Sequence, residues 1–169
     1  MTAYIALLRA VNVGGTGKLP MADLKRLAEE VGFTGVRTYI ASGNLVFDSA
    51  LEEVEVKARL EAALKAYAGK PVGVSVRTGA QMAAALAANP FPDAAPNRVT
   101  TIFLDHPPPP DALAKITGRK DEEVALGVRE IYVHYPSGQA ATKLRIPAAE
   151  AGTARNMNTV ATLAEMAGT

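Results

Sequence analysis

The run Asn12-Val13-Gly14-Gly15-Thr16-Gly17-Lys18 holds the residue types from which phosphate-binding loops are built. Glycines let backbone N–H groups approach an anion, a following helix N-terminus adds partial positive charge, and Lys18 supplies a full one. The nucleotide-hydrolase form of such a loop needs a glycine five residues before its last glycine and a hydroxyl directly after its lysine. Asn12 and Leu19 stand in those two places. Without the hydroxyl there is no standard magnesium ligand, so the pattern points away from that class of hydrolase. The plain alternative is a flexible turn between a strand and a helix. In either case Gly14 and Gly15 are expected at positive φ, where a Cβ is unwelcome.

Two further polar groups invite comparison with this loop. Ser42-Gly43-Asn44 reads as the tip of a hairpin, and Arg9 lies within the strand-like run Tyr4–Val11 that precedes the glycines. Near the other end of the sequence, Arg155 and Asn158 fall on one face of a helix expected over Thr153–Ala167. An arginine in a first helical turn opposes the helix dipole. That mismatch favours an anionic ligand or a partner carboxylate over a merely solvated helix start capped by Thr153. The candidate binding set is therefore Arg9, Asn12, Gly14, Gly15, Lys18, Ser42, Asn44, Arg155 and Asn158, expected to form one concave, mildly basic site between the two halves. The alternative is two separate polar surfaces. Met157, between those two helix residues, is expected to be buried.

Little else in the chain offers chemistry. There are no cysteines, which excludes thiol catalysis, disulfides and thiolate metal sites. His106 and His134 lack metal-ligand spacing, and no metal site is expected. There is no Gly-x-Ser-x-Gly elbow to anchor a serine triad. Glu29-Glu30 and Glu52-Glu53 lie on helices and read as solvated faces. Catalytic residues and cofactor therefore stay unassigned.

The elements that would position these residues follow from spacing. Tyr4–Val11 reads as a strand, and Met21, Leu24, Leu27, Ala28 and Val31 recur at helical spacing between Pro20 and Gly32. Strands are expected over Val36–Ala41 and Leu45–Phe47, joined by a two-residue Gly43-Asn44 turn. Ser49 with Glu52 suggests a capping box for a helix that ends before Gly69 and Pro71, and strand Val72–Arg77 follows. The order β-α-β-β-α-β is the ferredoxin-like plait. In it the loop after strand 1 and the hairpin after strand 2 lie at one end of the sheet, roughly 10 Å apart across one strand. Strand 1 is apolar on both parities, so its second face is expected to pack against the other half or a second chain.

Thr78 and Gln81 suggest a further capping box, and the prolines of 90–97 a connection. A second cycle then reads strand Val99–Leu104, helix Asp111–Thr117, strands Glu123–Leu126 and Glu130–Tyr135, and the closing helix, with no clear last strand. The expectation is α+β: two fused ferredoxin-like units with antiparallel sheets. The first covers 1–89, the second is a β-α-β-β-α unit over 98–169 packed on it, and 90–97 links them.

Composition sets the frame. The 169 residues are 49% hydrophobic and only 5% aromatic, so cores rest on Leu, Val, Ile, Met and Ala. The 18 basic and 17 acidic residues nearly cancel, which argues against nucleic acid as partner. With no signal peptide and no long apolar run, a cytoplasmic protein with no membrane partner is expected.

Tyr4–Phe47, reading YIALLRAVNVGGTGKLPMADLKRLAEEVGFTGVRTYIASGNLVF, closely resembles the opening of a widespread bacterial family, the domain of unknown function 1697. Thr153–Val160 is similar to the Arg-Asn-x-Asn-Thr-Val segment near the end of its members, and Thr142-Lys143-Leu144 to their small-residue–Lys–Leu element. Where Met157 stands, many relatives carry Trp, which here removes an aromatic that could stack on a ligand. The resemblance spans most of the chain and implies no activity. The residues themselves favour binding of a small anionic, phosphate- or nucleotide-like ligand at the glycine-rich loop and hairpin end. The alternatives are an enzyme acting on a phosphorylated or nucleotide-like substrate, with Lys18 or Arg155 stabilising charge, and a protein–protein interaction module compatible with a homo-oligomer.

Overall fold

The computed structural model describes residues 1–9, 19–40 and 43–168. Among these residues the architecture is α+β, with two four-stranded antiparallel sheets and four α-helices arranged as two ferredoxin-like units. Unit 1 comprises Met1–Ala83 with Leu163–Thr169, and unit 2 comprises Ala84–Thr162.

In unit 1, β1 (Thr2–Leu8), β2 (Thr34–Thr38), β3 (Asn44–Ser49) and β4 (Val74–Thr78) form a sheet in the order β2-β3-β1-β4. The helices α1 (Met21–Val31) and α2 (Glu53–Ala68) fill the two crossovers. Tyr4, Ala6 and Leu8 point to one face, where they join Leu24, Leu27 and Ala28 of α1 and Val56, Leu60 and Leu64 of α2 in the core. The helices therefore cover that face, because their apolar residues repeat every three or four positions. Phe47 lies at its centre, stacked 4.2 Å from Phe33 and 6.0 Å from Tyr4. On the opposite parity Ile5, Leu7 and Val46 are also buried, together with the polar Asn44, Ser75 and Arg77.

Several local expectations are revised. Asn44 opens β3 instead of completing a two-residue turn: Tyr39 N–H donates to the Asn44 carbonyl at 3.1 Å, so the turn lies upstream. Glu52, not Ser49, is the N-cap of α2, and no side chain caps it. The Ser49 hydroxyl accepts instead from Leu51 N–H at 3.1 Å. Helix α1 ends in a Schellman motif, with Gly32 N–H donating to Glu29 and Phe33 N–H to Ala28. The Thr78–Gln81 capping box is present in full at α3 (Gly79–Ala87). Thr78 N–H donates to Gln81 Oε1 at 2.9 Å, and Gln81 N–H returns a bond to Thr78 Oγ1 at 3.1 Å.

Unit 2 repeats the strand plan. β5 (Val99–Phe103), β6 (Glu123–Leu126), β7 (Glu130–His134) and β8 (Thr153–Asn156) run in the order β6-β7-β5-β8, the order of the first sheet with each strand replaced by its counterpart. The fourth strand, which the sequence did not mark clearly, is thus present. It occupies residues expected to start a helix, because Thr153–Asn156 pair antiparallel with Phe103–Thr100 of β5. Helix α4 (Met157–Ala167) begins only after it, and Asn156 Oδ1 accepts from Thr159 N–H at 3.0 Å as its cap. The helix expected over Asp111–Thr117 is a single 3₁₀ turn, Ala112–Lys115. Between four prolines and Gly118 too few residues remain to sustain a helix nucleus. One face of this sheet (Ile102, Ile131, Val133) is therefore packed by Ile146, Ile116 and Leu144 from loops, where unit 1 has helices.

Two of those loops are clamped together. Thr117 and Arg145 exchange backbone bonds of 3.0 and 2.8 Å. The buried Glu122 carboxylate accepts from the Thr142 hydroxyl and from Lys120 N–H. Those bonds, that from Thr142 foremost, hold the Glu122 carboxyl below the usual carboxylate range.

Met157 is 3% exposed, and its Sδ accepts the Thr101 hydroxyl at 3.0 Å. Met157→Ala is expected to cost about 2–5 kcal/mol in urea unfolding. A loss below about 0.5 kcal/mol, typical of exposed positions, would contradict the burial.

Candidate functional site

Chain direction decides what gathers at each end of the first sheet. β1 and β2 both lie antiparallel to β3, and β4 lies antiparallel to β1. The exits of β1 and β2 and the entries of β3 and β4 therefore share one end. Leu8 N–H donates to the Gly43 carbonyl at 2.9 Å, and Arg9 N–H to the Gly73 carbonyl at 2.9 Å. Arg9 is thus tied by its backbone to the start of β4, next to a residue tied to the start of β3. Its side chain is exposed and its stem runs over Gly73, where a Cβ would stand 3.7 Å from that of Arg9.

Beside this point Ile40 adopts φ 49° while half exposed. A β-branched residue in the left-handed region carries strain of about 1–3 kcal/mol, and such strain gathers at ligand clamps and switches. Gly43, at φ 88°, donates to the Ile40 carbonyl at 3.4 Å. Asn44 is fully buried, with Nδ2 donating to the Tyr39 carbonyl at 2.8 Å. Its amide therefore fastens the turn from within.

The expected site residues divide as follows. Arg9 and Asn44 share the sheet end just described. Asn12, Gly14, Gly15, Lys18 and Ser42 lie outside the described residues, and with them the expected positive φ of the glycine pair and the expected approach of Arg155 and Asn158 to that loop. In unit 2, Arg155 belongs to β8 opposite Thr101, not to a helix. The dipole mismatch inferred from the sequence therefore does not arise. Arg155 is 9% exposed, and its Nη1 donates to the Ala154 carbonyl at 2.8 Å. Burial pushes its guanidinium down to about 10, so it stays charged at neutral pH. Asn158 is exposed in the first turn of α4, and its carbonyl accepts the Thr162 hydroxyl at 3.0 Å.

Sequence reasoning passed over Arg77, the penultimate residue of β4, although it is only 1% exposed. Its Nη1 donates to the carbonyl of the preceding Val76 at 2.9 Å, the bond Arg155 makes with Ala154. Both arginines are followed by a capping side chain, Thr78 or Asn156, that accepts from the N–H three residues on. The two units thus share a strand–arginine–cap–helix device. Aligning Arg77-Thr78-x-x-Gln81 with Arg155-Asn156-x-x-Thr159 would have revealed it.

Among the described residues no group of three His, Asp or Glu side chains is placed to hold a metal ion. No helix among them is long and apolar enough to cross a membrane. The described residues of this sheet end bring together the Arg9 cation and the strained turn at Ile40, and gather no acid–base pair.

A conserved bacterial protein from Streptococcus pneumoniae has a similar structure, with a TM-score of 0.83 at 24% identity over 100% of this chain and 99% of that one. At that identity the likeness shows the fold alone. No curated protein matches the chain. Residues 1–132 match the family described as protein of unknown function (DUF1697). With its opening block, its duplicated sheets and that match together, the chain belongs to the DUF1697 family.

Proposed function

We propose that this protein binds a small anionic ligand, phosphate- or nucleotide-like, at the end of the first sheet that carries Arg9. The observation that supports this reading is the convergence there of three chain segments. The exit of β1 at Arg9 is hydrogen-bonded to the entry of β4 at Gly73, and its neighbour Leu8 to Gly43 before β3. In this reading the glycine-rich segment, which follows Arg9 in the sequence, contributes Asn12, Gly14, Gly15 and Lys18 to the same site. In this reading Arg9 and Lys18 neutralise the anion and the glycines expose backbone N–H groups to it. Strain at Ile40 is retained because the turn shapes the rim.

A thermal-shift screen of inorganic phosphate and nucleotides tests the proposal. A ligand at about a hundred times its Kd should stabilise the fold by about 2.7 kcal/mol. Arg9→Ala and Lys18→Ala should each remove most of that shift. Binding that survives both substitutions would place the anion elsewhere.

A further inference from the structure

Unit 1 carries a cleft of about 470 Å³, lined by Lys25 and Glu29 of α1, Gly35, Val36 and Arg37 of β2, and Asp48 of β3. It exists because the edge strand bulges. Thr34 pairs with Asp48 and Arg37 with Val46, so three steps along β2 are matched by two along β3. A bulge bends its strand and redirects side chains, and bulges are enriched beside binding sites. Gly35 turns through φ 59°, and a Cβ there would stand 3.0 Å from Asp48 Oδ2. The glycine thus keeps the space next to that carboxylate clear.

The charges around the cleft are balanced yet not spent on one another. Arg37 is fixed in place, with Nε donating to the Gly35 carbonyl at 3.3 Å and Nη1 to the Met166 carbonyl at 2.9 Å. The side chains of Lys25, Glu29 and Asp48 make neither an ion pair nor a hydrogen bond among the described residues. A bare anion would be drawn by Lys25 and Arg37 and repelled by Asp48 and Glu29, and a bare cation the reverse. A molecule with both charges is attracted by both pairs and repelled by neither when suitably oriented. The volume falls within the range of about 300–1,000 Å³ usual for small-molecule sites. We propose that this cleft binds a small zwitterion of the amino-acid type, its carboxylate toward Lys25 and Arg37 and its ammonium toward Asp48 and Glu29. This site is separate from the Arg9 end and does not depend on the reading given above.

The test uses the full chain and the series glycine, β-alanine, γ-aminobutyrate and ε-aminocaproate, with butyrate and butylamine as single-charge controls. Thermal shift and calorimetry should show saturable stabilisation by at least one zwitterion and none from either control at equal concentration. Asp48→Asn and Lys25→Met should each weaken that binding about tenfold or more, as expected for losing a charged hydrogen bond. Their unliganded Tm should stay close to that of the wild type, since neither side chain holds a partner to lose. Arg9→Ala should leave the affinity for the zwitterion unchanged. The proposal is overturned if butyrate or butylamine alone stabilises as strongly, if no member of the series gives a saturable response, or if both cleft variants bind undiminished.

Discussion

Phe47→Ala should be the most damaging truncation in unit 1, lowering stability by about 3–5 kcal/mol. Phe47 is fully buried in β3, which lies between β1 and β2. Its ring is nearly parallel to that of Phe33, at 8°, and also meets Tyr4. The chain has only four Phe, five Tyr and no Trp, so this stack concentrates a third of its aromatic residues in one place. Small aliphatic neighbours such as Ala6 and Ala28 have little volume with which to close the gap. Urea unfolding followed by circular dichroism measures the loss, and Phe47→Leu should recover more than half of it because most of the volume returns. A loss below about 1 kcal/mol for the alanine variant would mean that the stack is not the centre of the core.

Gly118→Ala is the second large effect. At φ 69° the left-handed backbone alone would cost a residue with a side chain about 1–3 kcal/mol. The added Cβ would also meet the Lys143 carbonyl oxygen at 2.0 Å, and that atom belongs to backbone. The Thr117–Arg145 bridge must therefore open, carrying Thr142 away from Glu122. Relief of the clash then has a spectroscopic signature. In the wild type the Thr142 hydroxyl, followed by Lys120 N–H, lowers the Glu122 pKa. A carboxyl depressed in the folded state stabilises above its unfolded pKa, and that contribution is lost as pH falls through the folded value. In Gly118→Ala the Glu122 titration followed by NMR should move up into the ordinary carboxylate range, and the acid-side loss from this group should vanish. An unmoved titration with wild-type stability would show that the loops can part without consequence.

Unit 1 was legible in the sequence because its signals are local. Helical spacing in α1 and the reciprocal bonds of Thr78 and Gln81 need no knowledge of distant chain. β8 was hidden for the opposite reason. Four residues, Thr153–Asn156, become a strand only through a ladder with β5, some fifty residues away, while Asn156 also serves the following helix as cap. The 3₁₀ turn at Ala112–Lys115 has helix-forming residues but no room between the prolines and Gly118. At the candidate site, the position of Arg9 followed from strand order alone. That Asn44 would spend its amide on the Tyr39 carbonyl did not, because a polar residue at a turn can face either way. Arg77 escaped notice since an arginine in a strand ordinarily marks a wet face, and its burial is a property of the folded sheet.

The membership of α4 has a consequence for the order in which the chain can mature on the ribosome. Leu163 and the residues after it belong to unit 1, where Arg37 of β2 holds the Met166 carbonyl and a Cβ at Gly79 would stand 3.2 Å from that of Ala167. The first sheet emerges from the exit tunnel early, yet its unit stays incomplete until those last turns of helix have also been translated. All of unit 2 must pass through the tunnel in the interval. Of the two units, unit 1 is thus begun first and finished second, and a stalled nascent chain lacking Leu163–Gly168 would present β2 without the helix end that Arg37 caps.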